Sequence, residues 1–357
     1  MGADQIPDSD VIILGGGLSG LRLASLLHHA GLSFQLFEAR PLWGGRIAVL
    51  AAKGGRVDLG PSWFWPGQRR IERLVEDLGL KSFDQHAEGD ILFETAAGVV
   101  QRGAGFGSME GSLRVEGGTR SLIEGLVARL PAERLHLSHK AVAVGDGTVQ
   151  LSDGTHHSAR HVVLALPPRL AATLMQDASW PDATRQSLAA IPTWMAGHAK
   201  FVAVYARPFW RDAGLSGDAI SRFGPLAEIH DASGADGRPA ALFGFLGVPA
   251  KARAARTEEI TAQALVQLAR LFGPDAARPV QTALQDWARE PLTATAADQT
   301  PPLGHPAYGL PRGLSDILGH RLHLCATETA PDNGGLMEGA LAAAEHVARQ
   351  ILGAKAA

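Results

Sequence analysis

Apolar positions along the chain fall into two periods. Val11-Ile12-Ile13-Leu14 is a continuous apolar run, the pattern of a parallel strand buried on both faces. Leu21, Leu23, Ala24, Leu26 and Leu27 then predict a helix that Gly31 ends, and Phe34-Gln35-Leu36-Phe37 predicts a second strand stopping at Glu38. The three together form one βαβ unit. Ile71, Leu74, Val75 and Leu78 stand at i, i+3, i+4 and i+7 and predict a helix closed by Gly79; Leu122, Leu126, Val127 and Leu130 predict another, stopped by Pro131. Alternation over 141–144 and 148–151 around Asp146-Gly147 predicts a hairpin. Further strands are expected at 161–166, 199–205 and 321–325, and further helices from Thr257 to Phe272 and from Gly335 to about Leu352. Two stretches lack a period. Residues 98–118, with seven glycines, predict a loop or domain crossing, and 212–239, rich in Gly, Asp and Ser, predict turns or a mobile loop.

At 357 residues, and with about 150 per domain as the usual size, the chain is expected to form two domains, or three smaller ones. Its formal charge of −3 offers neither a basic footprint for nucleic acid nor a field for an anionic membrane. With 46% hydrophobic and 19% charged residues it can bury a large core. Met1 to Asp10 carries three aspartates and no basic n-region, and apolar stretches such as Ala240–Ala250 are too short to span a bilayer, so a cytoplasmic protein is expected. The single Cys325 leaves no internal disulfide and no multi-cysteine zinc site. Adjacent histidine pairs, His28-His29 and His156-His157, diverge on any regular element, and no metal is assigned.

Glycine is the compositional outlier, at 42 residues, and its placement carries chemistry. Gly15-x-Gly17-x-x-Gly20 sits between the predicted strand and helix. Such a turn lets backbone, here including Leu18 and Ser19, approach a pyrophosphate at a helix N-terminus. Glu38 ends the next strand, where a carboxylate accepts hydrogen bonds from adenosine ribose hydroxyls. A dinucleotide site follows from these features, but they do not separate NAD from FAD.

The residues that follow do separate them. Glu38-Ala39-Arg40-Pro41-Leu42-Trp43-Gly44-Gly45-Arg46 resembles the extended fingerprint of the flavin-containing amine oxidase superfamily, monoamine oxidases included. Asp58-Leu59-Gly60-Pro61-Ser62-Trp63, Glu116-Gly117-Gly118-Thr119, the run His161–Pro168, Ala326-Thr327-Glu328-Thr329 and Gly334-Gly335-Leu336-Met337-Glu338-Gly339-Ala340 continue the likeness in the family's order, from Val11 to about Leu352. The resemblance implies an α/β fold: a doubly wound Rossmann-like FAD-binding domain (1–82, 114–190 and 299–357) with an inserted, smaller mixed-sheet substrate domain (83–113 and 191–298). It implies that Glu38 holds the ribose and that Ala39, Arg40, Gly44, Gly45 and Arg46 lie along the adenine and pyrophosphate. It also implies that Val142 meets the adenine through its backbone, and that Gly60, Pro61, Ser62 and Trp63 bring backbone close to the flavin. Glu328 is implied to bond the ribityl chain, and Leu336 and Met337 to present a helix N-terminus to the flavin N1/O2 edge. Taken singly, Arg46 also suits a surface ion pair and Met337 a core position.

Lys200, in Gly197-His198-Ala199-Lys200-Phe201, resembles the family lysine that holds a water against flavin N5, and alternation puts it on one face with Val202 and Val204. Its other reading is an edge-strand lysine exposed to water. Trp287 resembles the tryptophan beside the isoalloxazine and otherwise suits an ordinary core position. Three departures matter. Residues 291–300 lack the cysteine that attaches flavin covalently in monoamine oxidases, so FAD is expected to be non-covalent. Leucine at 336 and the absence of an aromatic near Ala296 remove the paired tyrosines. The short passage from Phe93 to Gly117 has no room for the helical insertion over the substrate cavity, which is expected to be more open. The expected function is FAD-dependent oxidation of a small-molecule amine, the open mouth suiting a bulky one, with O2 as acceptor. The alternatives are a C–C desaturase of the same superfamily, and a flavin-bearing subunit completed by a partner.

Overall fold

The computed structural model describes residues 8–105, 107–176, 180–311, 314 and 321–355. The expectation drawn from Met1 to Asp10 therefore lies mostly outside the described residues. Two seven-stranded sheets dominate. In the first, strand β1 (Ser9–Leu14) leads through helix α1 (Leu18–His29) to strand β2 (Phe34–Phe37), and the two strands pair in parallel with Val11 opposite Phe34 and Leu14 opposite Phe37. The long strand His156–Leu164 lies on the other side of β1, also parallel, and Leu322–Leu324 extends the sheet beyond it. Its first residues pair instead with Thr148–Leu151, which closes a hairpin with Ala141–Gly145 through the predicted Asp146-Gly147 turn. Leu135–His136 completes the edge beside β2.

Alternate residues of β1 feed two cores. Val11 and Ile13 pack with Leu21 and Leu23 of α1 and with Leu341, Ala344 and Val347 of the last helix, Met337–Lys355. Ile12 and Leu14 pack on the opposite face with Val162, Leu164 and residues Ala171 and Leu188 of two short helices, Pro168–Leu174 and Asp182–Ala190. Burial on both faces is what a continuous apolar run requires, and each large aliphatic so buried contributes about 1.5–3 kcal/mol.

The second sheet runs Gln281–Asp286, Ala199–Tyr205, Ala240–Leu246, Leu226–Asp231, Leu215–Ser221, Asp90–Glu94 and Val100–Gly103. Its pairs are antiparallel except for Leu215–Ser221 against Asp90–Glu94. The helix Thr257–Phe272 covers one face through Ile260, Ala264 and Leu268. The other face, with Val202, Val204 and Phe243, packs on Val57, Leu59 and Trp63 from the chain that leaves the first sheet.

Two expectations need correcting. Residues 212–239 are not mainly turns: they contain the two buried strands Leu215–Ser221 and Leu226–Asp231. Their Ser, Asp, His and Glu residues lack an apolar period because polar side chains there satisfy one another, as described below. The glycine-rich stretch 98–118 likewise holds two strands, Val100–Gly103 and Leu113–Val115, around a turn at 108–111.

Candidate active site

A cavity of about 1080 Å³ lies between the two sheets. This is at or beyond the upper end of the ~300–1,000 Å³ usual for a small-molecule site. Its first end is built by the turn after β1. Gly15 has φ +109°, a backbone state that disfavours any side chain, and a Cβ on Gly20 would stand 2.0 Å from the Gly15 carbonyl oxygen. Gly20 therefore lets α1 pack against the turn rather than facing the cavity, while Gly15, Gly17, Leu18 and Ser19 line it. Gly17 caps α1 with no side chain, and the first turn has no acidic residue. The helix N-terminus is thus free to receive an anion.

Glu38, buried at the end of β2, accepts hydrogen bonds from Gly16 N–H (2.7 Å) and Arg40 N–H (2.8 Å) and lines the cavity with Ala39 and Arg40. Those bonds fix the carboxylate and leave acceptor capacity. Gly44, Gly45 and Arg46 continue the wall, and Gly44 N–H donates to the Gly16 carbonyl (2.8 Å), holding this loop over the glycine turn. Arg46 pairs with the fully buried Glu328 at 2.5 and 3.2 Å. Glu328 thus reaches the cavity through Arg46 and is not itself part of the wall. Val142 also stands behind the wall, which Ala141, Lys140 and His139 form there. Leu336 and Met337 line the cavity at the start of the last helix, so a second helix N-terminus meets it.

Lys200 lies on the second sheet at the cavity wall, almost fully buried, and on one face with Val202 and Val204. Its Nζ donates to Ser62 Oγ (2.8 Å) and to the Gly60 carbonyl (3.2 Å) and sits 3.8 Å from the Phe243 ring centroid. Gly60, Pro61, Ser62 and Trp63 share this wall. A Cβ on Gly60 would collide with the Arg46 carbonyl at 2.0 Å, so these two segments are in backbone contact. Burial lowers the Lys200 ammonium to about 7, nearby Asp58 opposing the fall and Arg114 adding to it. The exposed-lysine reading is excluded by this burial.

Trp287 closes the same region, with its indole N–H donating to the Leu59 carbonyl (3.1 Å) and its backbone N–H to His198 O (3.0 Å). Asp286 caps its turn by accepting from Ala288 N–H and is clamped by Arg253 at 2.7 and 2.9 Å; Arg253 also donates to the Gly197 carbonyl (2.7 Å). His198 lines the cavity just before the strand that carries Lys200, and burial together with Arg253 lowers its imidazole below the ordinary value.

Several contributors were not anticipated from the sequence. Trp65, Trp194 and Phe245 give the cavity aromatic walls in place of paired tyrosines. Glu228, in the segment expected to be turns, lines it too, and Arg253 supports Trp287 from a short helix. Only the Glu228-x-His230 alternation opposite Phe243-x-Phe245 could have flagged that strand. Cys325 is fully buried against the Ser19 carbonyl and is not part of the wall. Among the described residues no group of three or more His, Cys, Asp or Glu could hold a metal ion, and no described helix is long and apolar enough to cross a membrane.

A glycine turn at a helix N-terminus, a buried strand-end acid and a second helix N-terminus define a dinucleotide-binding oxidoreductase of the α/β class. The family model for flavin containing amine oxidoreductases matches residues 18–102 and 88–352, and the chain belongs to that family. The cofactor is accordingly FAD. The chain is similar to a probable flavin-containing monoamine oxidase A of Dictyostelium discoideum, 22% identical over 449 aligned positions that cover 96% of this chain and 97% of the relative. Among solved structures it resembles cyclohexylamine oxidase from Brevibacterium oxydans IH-35A (TM-score 0.81, 21% identity, 98% of this chain and 100% of that one). It also resembles a putrescine oxidase bound to putrescine (TM-score 0.79, 22% identity, 97% and 99%).

Proposed function

We propose that this flavoprotein oxidises the C–N bond of an amine to an imine, with O2 taking up the two electrons as H2O2 and water then hydrolysing the imine. The FAD, when bound, supplies the two-electron redox chemistry. The observation that carries this reading is Lys200, a buried lysine at the cavity wall with an ammonium lowered to about 7. At neutral pH such a group exchanges protons with a bound water or substrate nitrogen without a large free-energy gap in either direction. Ser62 and the Gly60 carbonyl hold Nζ in place for that exchange.

The remaining roles follow from position. Glu38 accepts from ribose hydroxyls, the N-termini of α1 and of Met337–Lys355 face negative charge, and the backbone near Val142 borders the adenine. Arg40 and Arg46 lie along the phosphates, with Glu328 fixing Arg46. Trp63, Trp194, Trp287 and Phe245 exclude water from the reacting carbon and orient the amine beside it. With Cys325 turned away from the cavity, the flavin is held without a covalent bond. We assign 1–82, 114–190 and 299–357 to the FAD domain and 83–113 and 191–298 to the substrate domain.

The purified protein should be yellow, acid precipitation should release FAD into the supernatant, and a panel of amines should yield peroxide. Flavin retained in the pellet would overturn the non-covalent assignment. Bound FAD with no peroxide from any amine would overturn amine oxidation and favour a C–C dehydrogenase.

A further inference from the structure

Two stretches of chain connect the first sheet with the second beside the cavity. Residues 191–198 lead from the helix Asp182–Ala190 into the strand that carries Lys200, and residues 287–301 leave the strand Gln281–Asp286. Both are cavity wall: the first supplies Trp194, Met195 and His198, the second Trp287, Leu292 and Thr293. Apart from two short 3₁₀ turns, neither is held by regular structure.

One buried carboxylate ties them together. Asp298, in the second stretch, is 2% exposed. Its Oδ2 accepts from Thr295 N–H (2.8 Å) and Thr295 Oγ1 (2.9 Å), closing its own turn. Its Oδ1 reaches the first stretch, accepting from Thr193 N–H (3.3 Å), and also accepts from Arg169 Nη1 (2.5 Å) on the helix Pro168–Leu174. Arg169 Nε donates to the Ala189 carbonyl (3.0 Å), just before the first stretch begins. An amide, with one acceptor oxygen and two N–H donors, cannot meet this set of donors. The stretches also touch by backbone, since a Cβ on Gly197 would stand 2.4 Å from the Asp298 carbonyl oxygen.

Between the anchors at Thr193 and Gly197, Met195 holds φ +61°, a left-handed state that a residue other than glycine keeps only where its surroundings impose it. Trp194 beside it is pressed against Gly335, where a Cβ would come within 3.0 Å of the Trp194 Cβ. Gly335 precedes Leu336 and Met337, at the helix N-terminus that meets the cavity. We propose that Asp298, which is not itself part of the wall, is a positioning residue of the flavin site. By holding Thr193 it fixes Trp194 against the Gly335 turn, and so sets the wall that the bound flavin meets at that helix end.

The test compares FAD-loaded full-length variants by visible circular dichroism of the oxidised flavin, which reads its surroundings without turnover. Trp194→Leu removes the wall, and Asp298→Asn removes the staple at constant size. Both should alter the flavin bands in the same direction, Asp298→Asn by at least about half as much. The double variant should match Trp194→Leu rather than the sum of the two singles, because a staple has no effect on a wall that is gone. Tyr205→Phe loses a buried hydrogen bond to the Ala276 carbonyl (2.9 Å) on the sheet face that Thr257–Phe272 covers, and should leave the bands unchanged. Additive changes, wild-type bands in Asp298→Asn or in Trp194→Leu, or an equal change in Tyr205→Phe would each overturn the proposal. Should Asp298→Asn fail to fold, Thr295→Val, which removes one of the four bonds, takes its place in the same comparison with a smaller change. The spectrum judges Asp298 whether or not any amine yields peroxide, so its failure is distinct from a failure of amine oxidation.

Discussion

In the first sheet, Val11, Ile12, Ile13, Val162, Val163 and Leu164 are inaccessible to solvent and no side chain among them needs a partner. In the second, the strands Leu215–Ser221 and Leu226–Asp231 bury Ser216, Asp218, Ser221, His230 and Asp231. These are satisfied by one another and by neighbouring segments: Asp218 meets His230 across the hairpin, Asp231 accepts from Trp210 and Arg211 (2.8 Å each), and Ser221 donates to Glu94 (2.6 Å). The first sheet is therefore stabilised by a non-directional effect that tolerates rearrangement, whereas the second depends on pairs that fail when one member is removed. The cofactor end of the cavity is built on the first arrangement and the lysine end on the second. Substitutions at the two ends should fail in different ways.

The largest effect is expected at Arg253. It is buried, and its guanidinium holds Asp286, the Gly197 carbonyl and the Val248 carbonyl together beneath Trp287 and His198. Arg253→Met should leave Asp286 buried without its counter-charge and cost about 3–5 kcal/mol of stability. Adding Asp286→Leu should restore more than half of the loss, because an apolar pair of similar volume removes the orphaned charge. Urea unfolding of the single and double variants checks this. A loss under about 1 kcal/mol would show that the polar sheet is as tolerant as the apolar one.

Second comes Lys200→Met, which keeps length and removes the charge. It should retain FAD but slow one flavin half-reaction, most directly reoxidation by O2, by about 100-fold. Stopped-flow absorbance of each half-reaction separates the two, and wild-type rates in both would make Lys200 structural.

Gly20→Ala tests the other end. Its Cβ would fall 2.0 Å from the Gly15 carbonyl oxygen and 3.1 Å from the Ala165 side chain, so backbone must shift. A cost of about 1–3 kcal/mol and a reduced FAD content are expected, while any FAD-loaded fraction should turn over at the wild-type rate. Flavin stoichiometry and activity per flavin distinguish these outcomes.

This contrast also sets how far the sequence could be read. The βαβ unit, the Asp146-Gly147 hairpin and the helix Thr257–Phe272 were legible because their periodicities and turn residues are local. Glu38 and the glycine turn were legible because a dinucleotide site needs the ribose-binding acid and the pyrophosphate turn at fixed spacing. Glu228, Arg253 and Trp194 were not. Each acquires its role from a partner brought close only by the fold: Ser108 and His230 for Glu228, Asp286 for Arg253, and Gly335 for Trp194, whose side chain lies about 3.0 Å from where a Cβ at Gly335 would stand. Strands whose polar residues are buried in pairs present no alternation, which is why 212–239 resembled a loop.

The smallest effect is expected from pH. The Lys200 ammonium is lowered from an ordinary value near 10.5 to about 7 in the folded protein, burial being the main cause. Above pH 7 the folded chain has released this proton while the unfolded chain still binds it. Since stability rises with pH wherever the unfolded state holds more protons, the contribution from Lys200 increases between about pH 7 and 10.5 and is flat below that window. Other groups titrate too, so the quantity to follow is the wild-type stability minus that of Lys200→Met, in which their shared contributions cancel. Between pH 7.5 and 8.5 this difference should shift in favour of wild type by at most about 1.4 kcal/mol. Denaturant unfolding of both proteins at several pH values gives it directly. A difference that stays level across the window would mean that Lys200 keeps its charge in the folded state. The ammonium would then be balanced by Asp58, the nearby carboxylate that already opposes its fall, and the lysine end of the cavity would hold a permanent cation.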